Sequence, residues 1–136
     1  QDNFLLNKSI LDNVCFAEKK DSNKEKFKTA IKLSELDDFI QSLPQKESTV
    51  VGDRGIQISG GQKQRIGLAR ALYEERKFLA FDEATSAVDS ATESNILKTL
   101  HKIKKNKIIL IIAHRENTIQ SCDHTIKLIN GKIELS

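Results

Sequence analysis

The chain has 136 residues with 22 Lys+Arg against 19 Asp+Glu, a net charge of +3; that length suits one domain or a large part of one, and the charge is too mild to argue for nucleic acid or an anionic membrane surface. Cys15 and Cys122 lie far apart and form no C-x-x-C pair, which argues against a disulfide framework or a zinc site and fits a reducing cytosol. The longest apolar run, Ile108 to Ala113, falls well short of the roughly 18 residues that a membrane-spanning helix needs.

Residues 8–17 read as helical, and so do residues 22–43. Ser22 stands three before Glu25, which is capping-box spacing. Phe27, Ala30 and Ile31, then Leu36, Phe39, Ile40 and Leu43, recur at helical intervals until Pro44 ends the region. Residues 45–58, with Gly52 and Gly55, read as loop. The next helix is predicted from Gly60 to about Arg76, with Ile66, Ala69, Leu72 and Tyr73 inward and Ser59 and Gln62 at its start. The run Phe78–Phe81, ending in Asp82, is apolar on both faces and predicts a buried parallel strand. Ser90 and Glu93 predict the cap of a further helix with Ile96, Leu97, Leu100 and Ile103 inward. A second buried strand at Ile108–Ala113 completes a βαβ unit, expected to be right-handed. Finally, Thr125–Ile129 and Lys132–Leu135 flank Asn130-Gly131, a two-residue hairpin signal.

Three places carry candidate chemistry. In open parallel sheets, ligands bind beyond the carboxyl ends of the strands, and the first strand delivers Asp82 and Glu83 there. Adjacent residues at a strand end point differently, so Asp82 can face Mg²⁺ while Glu83 faces an attacking water. Mg²⁺ keeps several waters, and one or two carboxylates suffice to hold it. Taken alone, the pair also fits a strand ending in an acidic turn. Second, Ser59-Gly60-Gly61 opens a helix, where free N–H groups and the positive dipole end attract anions; a plain helix cap is the alternative. Third, His114 follows the second buried strand, where it can bond a terminal phosphate or orient water. A single histidine there also fits a structural polar residue, the reading given to His101 and His124.

Together these residues resemble the ATP-binding cassette (ABC) ATPase family over essentially the whole chain. Ile58–Gln62 (ISGGQ) resembles its signature motif, LSGGQ. Phe78–Glu83 resembles the Walker B strand, Ser86–Asp89 the D-loop and His114 the switch histidine, while Gln1 with Phe4-Leu5 resembles the glutamine-loop region. The resemblance implies an α/β fold, a partial P-loop NTPase-type domain. Its parallel-sheet core would take up about 77–136 and end in the β-hairpin; the helical subdomain with the signature motif would take up about 8–76. It also implies ATP and Mg²⁺ as cofactors and a head-to-tail dimer of two cassettes sandwiching two ATP molecules. Carried over, Ser59, Gly60, Gly61 and Gln62 serve the γ-phosphate of the partner's site. Asp82 and Gln1 serve Mg²⁺ in their own site, Glu83 is the general base, His114 senses the γ-phosphate, and Asp89 couples the sites across the interface. Arg65 reads as structural.

Val51-Gly52-Asp53-Arg54-Gly55 resembles the X-loop of ABC exporters (VGERG), and Asn13 after Ile10-Leu11-Asp12 resembles their I-x-E-N-I pattern. The implied whole is an exporter or lipid flippase. Its transmembrane domain, expected in the same chain, would contact the X-loop, and the cassette would sit at the cytoplasmic face of the inner or plasma membrane. Departures are equally plain. No G-x-x-x-x-G-K-[ST] occurs, so the Walker A cradle and the upstream adenine-stacking aromatic are not in this sequence. The chain begins at Gln1 and contains no Met, so it is expected to be cut from a longer one, and on its own it is expected to be inactive. Ile58 stands for the usual Leu, and Tyr73–Lys77 stands where a proline-containing turn is common. Two other readings are an ABC-type ATPase of DNA repair or chromosome structure and a non-catalytic cassette. The stretch between Gln1 and Ser59 shows no sustained heptads for the first, and both Glu83 and His114 stand against the second.

Overall fold

Local capping sets the helix boundaries in the computed structural model, which describes residues 4–16, 23–53, 55–83 and 87–135. Helix α1 (Ile10–Val14) starts at Ser9, whose hydroxyl accepts from the Asp12 N–H, and is shorter than the 8–17 expected. Lys8–Ser9 instead forms a short strand, β1, antiparallel to β2 (Val50–Val51). Helix α2 (Lys24–Leu33) is capped by Asn23, whose side chain accepts from the N–H groups of Glu25 and Lys26; the expected cap residue Ser22 lies outside the described residues. The predicted helical region 22–43 breaks in two. Glu35 takes a left-handed φ of 56°, and the Ser34 hydroxyl donates back to the carbonyl of Ala30 at 2.8 Å. Helix α3 (Asp37–Ser42) follows the break.

Helix α4 (Gly60–Tyr73) opens with the expected capping box: Ser59 Oγ accepts from Gln62 N–H at 3.1 Å, and Gln62 Oε1 accepts from Ser59 N–H at 2.8 Å. It stops before the predicted Arg76 because Glu75 turns left-handed, with φ 49°. Strand β3 (Phe78–Asp82) pairs in parallel with β4 (Ile108–Ile112), from Phe78↔Ile108 through Asp82↔Ile112, with helix α5 (Ser90–Ile103) between them in sequence. The cap of α5 is Asp89 rather than Ser90, and Glu93 is buried instead of closing a capping box. The strands differ from the doubly buried expectation. Leu79 and Phe81 point into the core, but Phe78 (55% exposed), Ile108 (70%), Leu110 (50%) and Ile112 (51%) form an apolar face that no described residue covers. Helix α6 (Glu116–Gln120) precedes the hairpin β5 (Ile126–Ile129) and β6 (Lys132–Leu135). Asn130 and Gly131 both adopt positive φ, 50° and 75°, as a type I′ turn requires.

One hydrophobic cluster joins the helical and α/β parts: Ile10, Val14, Ile31, Leu36 and Val51 pack with Ile66 and Ala69 of α4, and the same cluster reaches Leu79, Phe81, Ile96 and Leu100. Helix α4 is therefore the shared wall, and its N-terminus is carried to the end of β3. No helix among the described residues is long and apolar enough to cross a membrane.

Candidate active site

At the carboxyl end of β3 the chain extends one step beyond the strand: Glu83 N–H donates to the carbonyl of Ile112 at 3.0 Å. Glu83 itself has φ 49°, a left-handed conformation that non-glycine residues adopt at a cost of roughly 1–3 kcal/mol and that gathers at functional sites. The turn aims its carboxylate across to the next strand end, where Glu83 Oε1 lies 3.0 Å from Nε2 of His114. This contact is an ion pair when the imidazole is protonated. Asp82, one residue earlier, is exposed at the last position of β3. The two residues predicted as catalytic are thus in contact, and Asp82, predicted as the Mg²⁺ carboxylate, is adjacent in sequence.

The helix α4 N-terminus meets the same region. Ser59 and Gly60 are exposed, while Gly61 is buried against the loop after β3; a Cβ on Gly61 would stand 2.7 Å from the Ala87 carbonyl oxygen. Gln64, on the next turn of α4, spans that loop: its Nε2 donates to the Glu83 carbonyl (3.2 Å), and its Oε1 accepts from Ala87 N–H (2.9 Å). Asp89 accepts from the Thr92 N–H at 3.0 Å and from the Thr92 hydroxyl at 2.7 Å, and these bonds hold its carboxyl below the ordinary carboxylate value. Beside His114, Arg115 reaches back to α5: its NH1 donates to Glu93 Oε2 at 2.7 Å and to the Val88 carbonyl at 3.2 Å, and Thr118 Oγ1 donates to Glu93 Oε1 at 2.8 Å. Gln1 and Ser86 lie outside the described residues, so their predicted places are not given.

Of the predicted X-loop, Arg54 lies outside the described residues, and the others lie in β2 or follow it closely. Gly55 N–H donates to the Gly52 carbonyl at 3.1 Å, and Gly52 has φ 95°, a region that favours glycine. Asp53 is exposed. Nearby, fully buried Asn13 organises the segment after Phe4: its Oδ1 accepts from Leu6 N–H (2.9 Å) and Arg70 (3.2 Å), and its Nδ2 donates to the carbonyls of Leu6 (3.0 Å) and Ser9 (3.0 Å). Arg70 Nε donates to the Asn13 carbonyl at 2.8 Å, tying this segment to α4, and its guanidinium stands 5.2 Å from the Phe16 ring centre. Arg65 also packs rather than facing the site, donating to the carbonyls of Glu35 and Gly61.

A carboxylate–histidine pair at neighbouring parallel strand ends, with a serine–glycine helix terminus packed on the same loop, is the arrangement to which comparison with known proteins gives a family. The ABC transporter family model matches residues 1–86. The chain belongs to the ABC transporter family. It is 47% identical, over 98% of its length, to the alpha-hemolysin translocation ATP-binding protein HlyB of Escherichia coli, and 44% identical over the same share to the ABC transporter ATM1 of Toxoplasma gondii. It spans 19% of the first relative and 12% of the second. Among solved structures, a bacterial Atm1-family ABC exporter with ATP bound superimposes with a TM-score of 0.89 at 38% identity, over 98% of this chain and 23% of that one.

The donor set suits what ABC ATPases normally bind. Asp82 offers one exposed carboxylate, the kind of ligand Mg²⁺ accepts when phosphate oxygens and water complete its shell. Ser59 accepts through Oγ in its capping box and keeps its hydroxyl proton to donate to an anion. Residue-by-residue motif reading missed Gln64 and the Glu93–Arg115–Thr118 group. Gln64 sits inside the signature helix but outside the signature words, and Glu93 looked like an ordinary cap partner. Only its burial beside Arg115 separates the two roles.

Proposed function

We propose that the chain is most of the ATPase domain of an ABC exporter, with a helical subdomain over about 8–76 and an α/β core part over about 77–136, powering export or flipping of a substrate that the transmembrane part selects. The observation that carries this reading is the 3.0 Å contact between Glu83 and His114 at the ends of paired parallel strands. In this mechanism Glu83 takes a proton from water as the water oxygen attacks the γ-phosphorus of ATP and the bond to ADP breaks. His114, held by the same carboxylate, donates to the γ-phosphate and keeps Glu83 oriented. Mg²⁺, when bound, neutralises charge on the phosphates; Asp82 and Gln1 would hold it. Ser59, Gly60, Gly61 and Gln62 would present a hydroxyl, N–H groups and a helix dipole to the γ-phosphate bound by a second cassette. Asp89, beside that interface, would couple the two sites. Residues 51–55 would contact the transmembrane domain, and the cassette would sit at the cytoplasmic face of the membrane.

Phosphoryl transfer depends on positioning the phosphates, and the cradle with its lysine is not in residues 1–136. That segment alone is expected to show no ATP turnover above buffer and no micromolar ATP binding by calorimetry. The decisive variant belongs in the full-length protein. Glu83→Gln keeps the binding groups and removes the base, a loss of typically 10²–10⁴-fold in turnover. ATP binding should persist and the nucleotide-bound dimer should accumulate. A near-normal steady-state rate would reject Glu83 as the base.

A further inference from the structure

The buried carboxylate of Glu93 belongs to none of the family motifs read from the sequence, yet it joins three segments that surround the site. Its side chain is 4% exposed and sits in the first turn of α5. One oxygen takes the Arg115 guanidinium at 2.7 Å and the other takes the Thr118 hydroxyl at 2.8 Å, so the loop from β4 and the start of α6 are both fastened to α5. Arg115 then spends a second bond on the carbonyl of Val88, immediately before Asp89. Its backbone neighbour is His114, which faces Glu83 at 3.0 Å. A buried charge persists only where partners satisfy it; here they include Arg115, next to His114, and Thr118 of α6, and Arg115 reaches on to the turn before Asp89.

We propose that Glu93 is a positioning residue: through Arg115 it holds His114 against Glu83 and, by the same guanidinium, holds the Val88–Asp89 turn, so the two loops keep one fixed relation. The inference rests on the ATPase reading above, because positioning matters only if Glu83 and His114 carry out the hydrolysis. Glu93 is buried, with its carboxylate bonded to Arg115 and Thr118. Its loss therefore misplaces reacting groups without removing any group that binds ATP, and misplacement alone can cost up to about 10²-fold in rate.

The test uses the full-length dimeric protein at varied Mg-ATP, with Arg115→Ala, Glu93→Gln, the double variant, and Glu83→Gln alongside the unmodified protein. Each single change at 93 or 115 should lower kcat about tenfold or more and leave KM for ATP within about twofold. The double variant should be no slower than the worse single, since both break the same link. If Glu93→Gln fails to fold, half-exposed Arg115→Ala carries the kcat-against-KM comparison alone. Unchanged kcat in Arg115→Ala, a KM that rises in step with the fall in kcat, or losses that multiply in the double variant would each overturn the proposal. Inactive Glu83→Gln with normal Arg115→Ala would sink this inference and leave the ATPase reading standing. Near-normal Glu83→Gln would sink both.

Discussion

Gly61 shows how closely single residues are specified here. It is a signature-motif glycine, and the expected reason for it is the approach of a phosphate to the backbone. The structure adds a second reason within the chain itself: the carbonyl oxygen of Ala87 lies 2.7 Å from where a Cβ would be. A contact that short forces either α4 or the loop after β3 to move. Gly61→Ala should therefore destabilise the folded cassette by about 1–3 kcal/mol, seen as a lowered urea midpoint with an unchanged slope, even without nucleotide. If apo stability is unaffected, the contact with Ala87 is not part of what this glycine does. Glu83 makes the complementary point. Its left-handed φ of 49° costs stability and turns its carboxylate toward His114. That conformation could not be read from the sequence, because nothing in Phe81-Asp82-Glu83 distinguishes it from an ordinary acidic turn.

Among the elements, the strand pair, the signature helix with its capping box and the Asn130-Gly131 hairpin were legible because each has a local cause: a continuous apolar run, a Ser-x-x-Gln cap, a turn dipeptide. The break at Glu35 was not, since apolar spacing runs on through Leu36 and Phe39 and the Ser34 back-bond leaves no pattern. Nor was the β1–β2 pair, which depends on two-residue strands meeting across more than forty positions of chain. Asn13 was visible as a motif letter, but its work was not: it satisfies the backbone of Leu6 and Ser9 and holds Arg70 of α4. Replacing it with Leu leaves a buried N–H and carbonyls without partners, at about 1–3 kcal/mol for each group left unsatisfied. Asn13→Leu should cost the full-length protein's cassette about 2–3 kcal/mol in chemical denaturation. A change below about 0.5 kcal/mol would mean that the segment after Phe4 is held by other contacts.

At the scale of the whole molecule, two features face outward. The uncovered apolar strands expose Phe78, Ile108, Leu110 and Ile112, apolar side chains of the kind that seek a covering surface. Asp53 is instead an exposed charge beside the Gly52–Gly55 hydrogen bond. If residues 51–55 couple the cassette to a transmembrane domain, reversing their charges with Asp53→Lys and Arg54→Glu should lower transport while basal ATPase persists. A parallel fall in both, or no change in either, would contradict the coupling role.

The central claim is that this one chain supplies halves of two different sites: Glu83 and His114 to its own nucleotide, and Ser59 to its partner's. Mixed full-length dimers carrying one Ser59→Arg and one Glu83→Gln test it directly. Arginine at 59 adds bulk where backbone N–H groups must approach phosphate, and so blocks closure at the site that residue serves. With both changes in the same subunit, each composite site carries one lesion. With the changes in different subunits, both lesions fall on one site and the other keeps a complete set. Steady-state ATPase of the two purified mixed dimers, at saturating Mg-ATP, should be higher when the changes are in different subunits. The reverse order would mean that Ser59 serves its own subunit's nucleotide, and would contradict the account.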